Sequence, residues 1–290
     1  MPDNQAKTLC VVGAGNMGHQ IALQGALCGF QVYCNDINES TLRGAEEFAR
    51  NWLAGRVQKG KMTAEEARAV SDRLIFTQDL DEAARHSDLV IEAIVEILEV
   101  KRKLFKRLDE ICPAHTILAT NSSYIVSSKL ADAVARPDKV INMHFFNPAL
   151  VMKLVEVVKG PHVSEETVEI VFEVCRALQK TPVRVNKEIY GFVVNRVFSA
   201  ITKEACYLLD QGIASIEDID IAVRNGLGHP LGPFELLDLT GIDLEYNVLM
   251  EKYQSTGNLN DKPSPALVER WAKGEYGRKT RRGFYDYNSK

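Results

Sequence analysis

Between about residues 8 and 185 the chain alternates short apolar runs with longer stretches in which apolar residues recur at helical spacing. The runs predict strands at 8–12, 31–34, 74–76, 88–93, 116–120, 139–143, 154–158 and 182–185, with helical stretches between most of them. Helices are expected at 19–28 and 39–61, and Thr63-Ala64-Glu65-Glu66 carries the capping pattern that opens another. Beyond about Asn186 the strand signals stop, and helical patterns occupy 193–210, 216–224, 234–253 and 265–273. Strands alternating with helices predict an α/β fold, a doubly wound and mainly parallel Rossmann-type sheet, with ligands at the carboxyl ends of its strands. The expected division is therefore a sheet domain at 1–186, with a helical insertion at about 39–72, and an all-helical domain at 187–290.

Composition narrows what such a fold serves. A length of 290 residues suits two modest domains, and a net charge of −4 offers no broad basic face to a nucleic acid. The polar opening segment, Met1 to Thr8, has no apolar core of a secretory leader, and the most apolar run, 89–98, is interrupted by Glu92 and Glu96, so no membrane span is expected. Six cysteines form no C-x-x-C pair and no metal-like spacing; they read as packed, reduced thiols in a cytoplasmic protein with no metal site. On the 193–210 helix, Val194, Val197, Phe198, Ile201, Ala205 and Leu208 form a wide apolar stripe that needs a partner, inside the domain or on a second subunit.

The candidate chemistry starts at Gly13-Ala14-Gly15-Asn16-Met17-Gly18, set between a strand and a helix. Glycines at these places permit a tight turn, close approach of a pyrophosphate and close helix–strand packing, with the phosphate at the helix N-terminus. Asp36, at the end of the second strand, is placed to accept from adenosine ribose hydroxyls, and the following Ile37 and Asn38 offer no cation for a 2′-phosphate; NAD is favoured over NADP. His144 is a candidate general base for oxidising an alcohol, and Glu156 could hold its other ring nitrogen. From the residues alone, a packed histidine beside Phe145 and Phe146 weighs as heavily. Asn121-Ser122-Ser123 could bond a substrate oxygen, although helix capping is commoner there, and Asn195 on an apolar helix needs a partner of its own. Arg56, Lys59 and Lys61 could meet a phosphorylated handle or simply be solvated, and Gly228-His229-Pro230-Leu231-Gly232-Pro233 reads as structural.

These motifs, with VIEAIVEILEVKRKLF, TNSS, HFFNPALVMKLVEVV, GFVVNR, GHPLGPFELLDLTG and GRKTRRGFYDY, resemble nearly end to end the short-chain L-3-hydroxyacyl-CoA dehydrogenases, a family that includes bacterial 3-hydroxybutyryl-CoA dehydrogenases. The resemblance implies NAD-dependent interconversion of an (S)-3-hydroxyacyl-CoA and the 3-ketoacyl-CoA, short-chain as in fatty acid metabolism, and a homodimer formed through the helical domain. It makes His144 and Glu156 the catalytic dyad, with Ser123 and Asn195 orienting substrate. It places NAD contacts at the glycine loop from Gly13 to Gly18, Asp36, Glu96, Lys101, Ser123, Asn147 and Lys279, and coenzyme A against Lys59 and Lys61 as well as Ser123. Three residues depart from the family's pattern: Tyr190 stands where proline usually precedes GF-V-NR, Tyr124 where a smaller residue is common, and Leu150 where proline is frequent. Two other readings are a dehydrogenase of a free small hydroxy acid and a catalytically idle NADH-binding module.

Overall fold

Short runs of branched apolar residues become strands here because both of their faces are buried: β4 (Leu89–Glu92) and β5 (Ile117–Thr120) are buried at every position. In the computed structural model, which describes residues 7–288, the first unit runs through β1 (Thr8–Val12), α1 (Gly18–Leu27), β2 (Gln31–Asn35), α2 (Glu39–Gln58), α3 (Ala64–Asp72), β3 (Leu74–Thr77) and α4 (Leu80–Ala84). After β4 come α5 (Leu98–Ile111), then β5, α6 (Ser128–Ala131), β6 (Val140–Phe145), β7 (Leu154–Val158), α7 (Glu165–Ala177) and β8 (Thr181–Val185). The opening residues 1–6, read from sequence as polar and without a leader, lie outside the described residues.

The eight strands form one sheet in the order β3-β2-β1-β4-β5-β6-β7-β8, parallel throughout except for the antiparallel β6–β7 pair. Strand order reverses beside β1, so the carboxyl ends of β1 and β4 make the crevice in which such sheets bind ligands. Alternation along β1 divides the core between the two faces: Leu9 and Val11 pack with Ile21, Leu23 and Val171, while Cys10 and Val12 pack with Phe105, Leu108 and Leu118. The cysteines are free thiols, and burial pushes that of Cys34 up to about 12.

The expected insertion is a hairpin of two helices. Asn38 caps α2 by accepting from Ser40 N at 2.9 Å, and Thr63 and Glu66 close a reciprocal capping box on α3. Helix α2 stops at Gln58, three residues short of the expected end, so Lys59 and Lys61 stand exposed in the connecting turn. Among the described residues, no helix is long and apolar enough to cross a membrane.

The second unit contains α8 (Val194–Asp210), α9 (Ile216–Leu227), α10 (Pro233–Thr240), α11 (Ile242–Thr256) and α12 (Pro265–Ala272) around Cys206, Phe234, Leu237, Ile242 and Phe284. The single helix expected over 234–253 is two helices, because Gly241 sits at φ +111°, which breaks the hydrogen-bonded spiral and restarts it. Buried Asp220 accepts from Phe234 N and Glu235 N at the start of α10, and Asp238 accepts from Phe284 N and Tyr285 N. The GHPLGPF and GFYDY segments therefore serve as structure in this unit. Contacts divide the chain between Val193 and Val194, seven residues past the division expected at Asn186. The intervening segment stays with the sheet because Phe192 packs on Val158 and Val185, and Val193 N donates to Glu156 Oε1 at 3.0 Å.

Candidate active site

The loop from β1 to α1 is built to let backbone come close. A Cβ on Gly18 would lie 1.7 Å from the Gly13 carbonyl oxygen, so only glycine lets α1 pack onto the turn. Gly15 has nothing within 4 Å of its would-be Cβ, and no side chain caps the first turn of α1; the loop offers open backbone to an anion. Asp36 secures the turn from β2, accepting from Ala14 N at 2.8 Å through one oxygen and from Asn38 N at 2.9 Å through the other. Asn16 Nδ2 donates to Asn147 Oδ1 at 3.3 Å, which ties the loop to the segment after β6. An open glycine turn beside a fixed carboxylate fits a dinucleotide bearing a free ribose, and Gly13 to Gly18, Asp36 and Asn147 are the residues that would hold it.

His144 and Glu156 are directly opposed across the β6–β7 pair, where antiparallel pairing brings their side chains onto one face. The imidazole Nδ1–H donates to Glu156 Oε2 at 2.9 Å, and Ser123 Oγ–H donates to Nε2 at 2.9 Å. The tautomer follows from valence: a carboxylate only accepts, so Nδ1 carries the hydrogen and Nε2 is left as the acceptor. The His144 and Glu156 side chains are 5% and 1% exposed, and Phe146 and Phe192 set their ring edges against the imidazole with centroids 4.6 and 5.4 Å away. In so dry a setting a charge developing on the ring interacts strongly with the carboxylate.

Beneath the turn that carries Ser123 lies a polar network that the sequence reading did not find. Glu92, fully buried at the end of β4, accepts from Lys101 Nζ at 2.5 Å, from Ile94 N at 2.7 Å and from Thr120 Oγ1 at 2.6 Å. Lys101, itself 1% exposed, also pairs with Glu96 at 3.1 Å, and Glu96 in turn accepts from Ser122 Oγ. Asn142 holds the same turn from β6, donating to Ser122 O and Ile125 O and accepting from Ser127 N. The signal for Glu92 was present, since a carboxylate inside the most apolar run of a chain must be paired. Lys180 was also missed. Its buried ammonium donates to Ala149 O at 2.5 Å and Met152 O at 2.9 Å, bracing the turn after Asn147, and desolvation, followed by the nearby Lys153 charge, lowers its pKa.

The first unit thus brings together the glycine loop, Asp36, Glu96, Lys101, Ser123, His144, Asn147 and Glu156 on the carboxyl side of the sheet. Lys59 and Lys61 are not among them; they belong to the hairpin turn. Asn195 and Lys279 belong to the second unit, Asn195 in the first turn of α8 and Lys279 paired with Asp243 at 2.5 Å. Among the described residues, no group of three or more His, Cys, Asp or Glu is arranged to hold a metal ion.

A switch-point crevice with a dinucleotide loop and a carboxylate-braced imidazole defines an NAD-dependent oxidoreductase of the doubly wound class. Residues 8–189 match the family model for the 3-hydroxyacyl-CoA dehydrogenase NAD-binding domain, and 191–287 match that for the C-terminal domain of the same enzymes. The chain belongs to the 3-hydroxyacyl-CoA dehydrogenase family. It is 41% identical to a probable 3-hydroxybutyryl-CoA dehydrogenase of Bacillus subtilis, covering 99% of each chain. It is 39% identical to the human mitochondrial hydroxyacyl-coenzyme A dehydrogenase, over 97% of this chain and 91% of that one. Among solved structures, (S)-3-hydroxybutyryl-CoA dehydrogenase PaaH1 of Ralstonia eutropha superposes with a TM-score of 0.90 at 35% identity, covering 98% of this chain and all of the other.

Proposed function

We propose that this chain interconverts short (S)-3-hydroxyacyl-CoA and 3-ketoacyl-CoA thioesters, 3-hydroxybutyryl-CoA foremost, with His144 as general base and Glu156 as its partner. The observation that carries the reading is the orientation of the imidazole: Nδ1 is committed to Glu156 while Nε2 is an acceptor already engaged by a hydroxyl, that of Ser123. A substrate hydroxyl at that point gives its proton to Nε2, and Glu156 stabilises the imidazolium that forms. NAD, when bound, supplies the hydride acceptor for the hydrogen on C3. In the reductive direction Nε2 returns the proton, and Ser123 bonds and orients the reacting oxygen. Asn195 and Lys279 keep the substrate and cofactor tasks that the family resemblance gives them.

Relatives named for acyl-CoA substrates support the coenzyme A handle, and the exposed Lys59 and Lys61 supply cations for its phosphates. The second unit leaves Val197, Leu227, Leu239 and Leu244 exposed, an apolar surface consistent with a homodimer formed through it. Free thiols and the lack of a membrane-crossing helix among the described residues fit a cytoplasmic enzyme.

The deciding measurement compares NADH oxidation by acetoacetyl-CoA with that by acetoacetate. The thioester should react with a kcat/KM at least about a hundredfold higher, because binding the remote handle contributes to the reacting step. Equal rates would favour a free hydroxy acid, and tight NADH binding with no turnover of any 3-ketoacyl-CoA would identify an idle module. Cofactor choice has its own test. Asp36→Ala should lower the preference for NADH over NADPH in kcat/KM by about tenfold or more, since it removes both the ribose acceptor and the charge that repels a 2′-phosphate. An unchanged preference would remove Asp36 from that role.

A further inference from the structure

His144 is held from two sides by irregular chain, and the two segments meet through a pair of rings. On one side Ser123 bonds Nε2, and the next residue, Tyr124, stacks on Tyr190 with ring centroids 4.5 Å apart and planes at 29°. On the other side Tyr190 leads through Gly191, at φ +75°, into Phe192, at φ +47°, whose ring lies against the imidazole. Val193 follows and donates its N–H to Glu156. The contacts close a circuit from Ser123 to Tyr124, across to Tyr190, on to Phe192 and Val193, and back to His144 and Glu156.

We propose that the Tyr124–Tyr190 stack is a positioning clasp that holds the Ser123 turn and the Phe192 turn against the catalytic imidazole. The proposal rests on the assignment of His144 as base. Two features call for such a restraint. Phe192 is a residue with a Cβ in the left-handed region, a conformation that persists only where surrounding contacts over-determine it. Tyr190, Gly191 and Phe192 also lie in no helix or strand, and Gly191 at φ +75° adds backbone freedom to the turn. Stiffness there has to come from outside the backbone, and the face of Tyr124 supplies it.

The test is steady-state kinetics of the full chain with acetoacetyl-CoA and NADH. Tyr124→Leu and Tyr190→Leu should each lower kcat about three- to tenfold, the scale of one aromatic pair, with KM for NADH changed by less than about twofold. The double variant should lose little more than the worse single, because each change breaks the same contact. Tyr124→Phe and Tyr190→Phe keep the rings and should keep most of the rate. In this reductive direction His144 must start protonated, so the alkaline limb of the kcat/KM profile should move in the leucine variants and stay in the phenylalanine variants, since only the former loosen the Ser123 contact with Nε2. Unchanged kcat, additive losses, or phenylalanine variants as damaged as leucine variants would each overturn the clasp. His144→Gln measured alongside separates the two levels. If it retains the rate, the base assignment falls and the clasp with it; if it loses the rate while the tyrosine variants do not, only the clasp falls.

Discussion

Replacing His144 with glutamine is expected to lower kcat for acetoacetyl-CoA reduction by about 10² to 10⁴, the usual worth of a positioned proton-transfer group, while the dissociation constant for NADH stays the same. Glutamine is close in size and can still hydrogen-bond to both Ser123 and Glu156, so the site keeps its packing and loses only the ring nitrogen that takes and returns the proton. Glu156→Gln should approach the same loss by another route. Glu156 accepts at both oxygens, from Val193 N at Oε1 and from His144 Nδ1 at Oε2, whereas an amide can accept at only one. If the amide nitrogen faces the ring, Nδ1 becomes the acceptor and the hydrogen moves to Nε2, which can then no longer take a proton from substrate. If the amide turns over, the Val193 N–H loses its acceptor. A near-normal kcat in either variant, with NADH binding intact, would remove the dyad from the mechanism.

What could be read from the chain follows from what is local in sequence. All eight strands and the glycine turn depend on short-range patterns, and each formed within a few residues of its expected place. His144 and Glu156 could be paired as candidates from the residues, and resemblance made them the assigned dyad; twelve residues apart, they become neighbours only because the chain between them reverses and puts both on one face of an antiparallel pair. Glu92 announced that it needed a partner, but which partner was out of reach: nothing local in sequence says that Lys101 folds inward onto Glu92 and Glu96 rather than reaching toward a cofactor or solvent. The Tyr124–Tyr190 contact spans 66 residues and was visible only as two separate irregularities. At Gly241 the apolar period ran through the glycine unbroken, so one helix was expected where backbone conformation makes two. The division after Asn186 was drawn at the last strand signal, whereas the chain leaves the first unit only after Phe192 and Val193 have been fastened to it.

Lys101→Met should destabilise the first unit by about 3–5 kcal/mol, because it leaves the Glu92 carboxylate buried without its cation. Methionine fills a similar volume and is itself apolar, so the loss comes from the charge left behind rather than from a cavity. The effect should reach function as well. Lys101 is the shared partner of Glu92 and Glu96, and Glu96 holds Ser122, one residue before the hydroxyl on Nε2. A variant still folded at low temperature should therefore show a reduced kcat in addition to a lowered urea midpoint. Glu92→Gln in the same background separates charge from packing. A neutral amide at position 92 needs no cation, so the double variant should recover part of the stability lost by Lys101→Met, where two independent defects would add. If Lys101→Met unfolds at the parent's urea concentration, or if Glu92→Gln deepens its loss, then the pair is not the buried, mutually dependent unit on which the Ser123 turn rests.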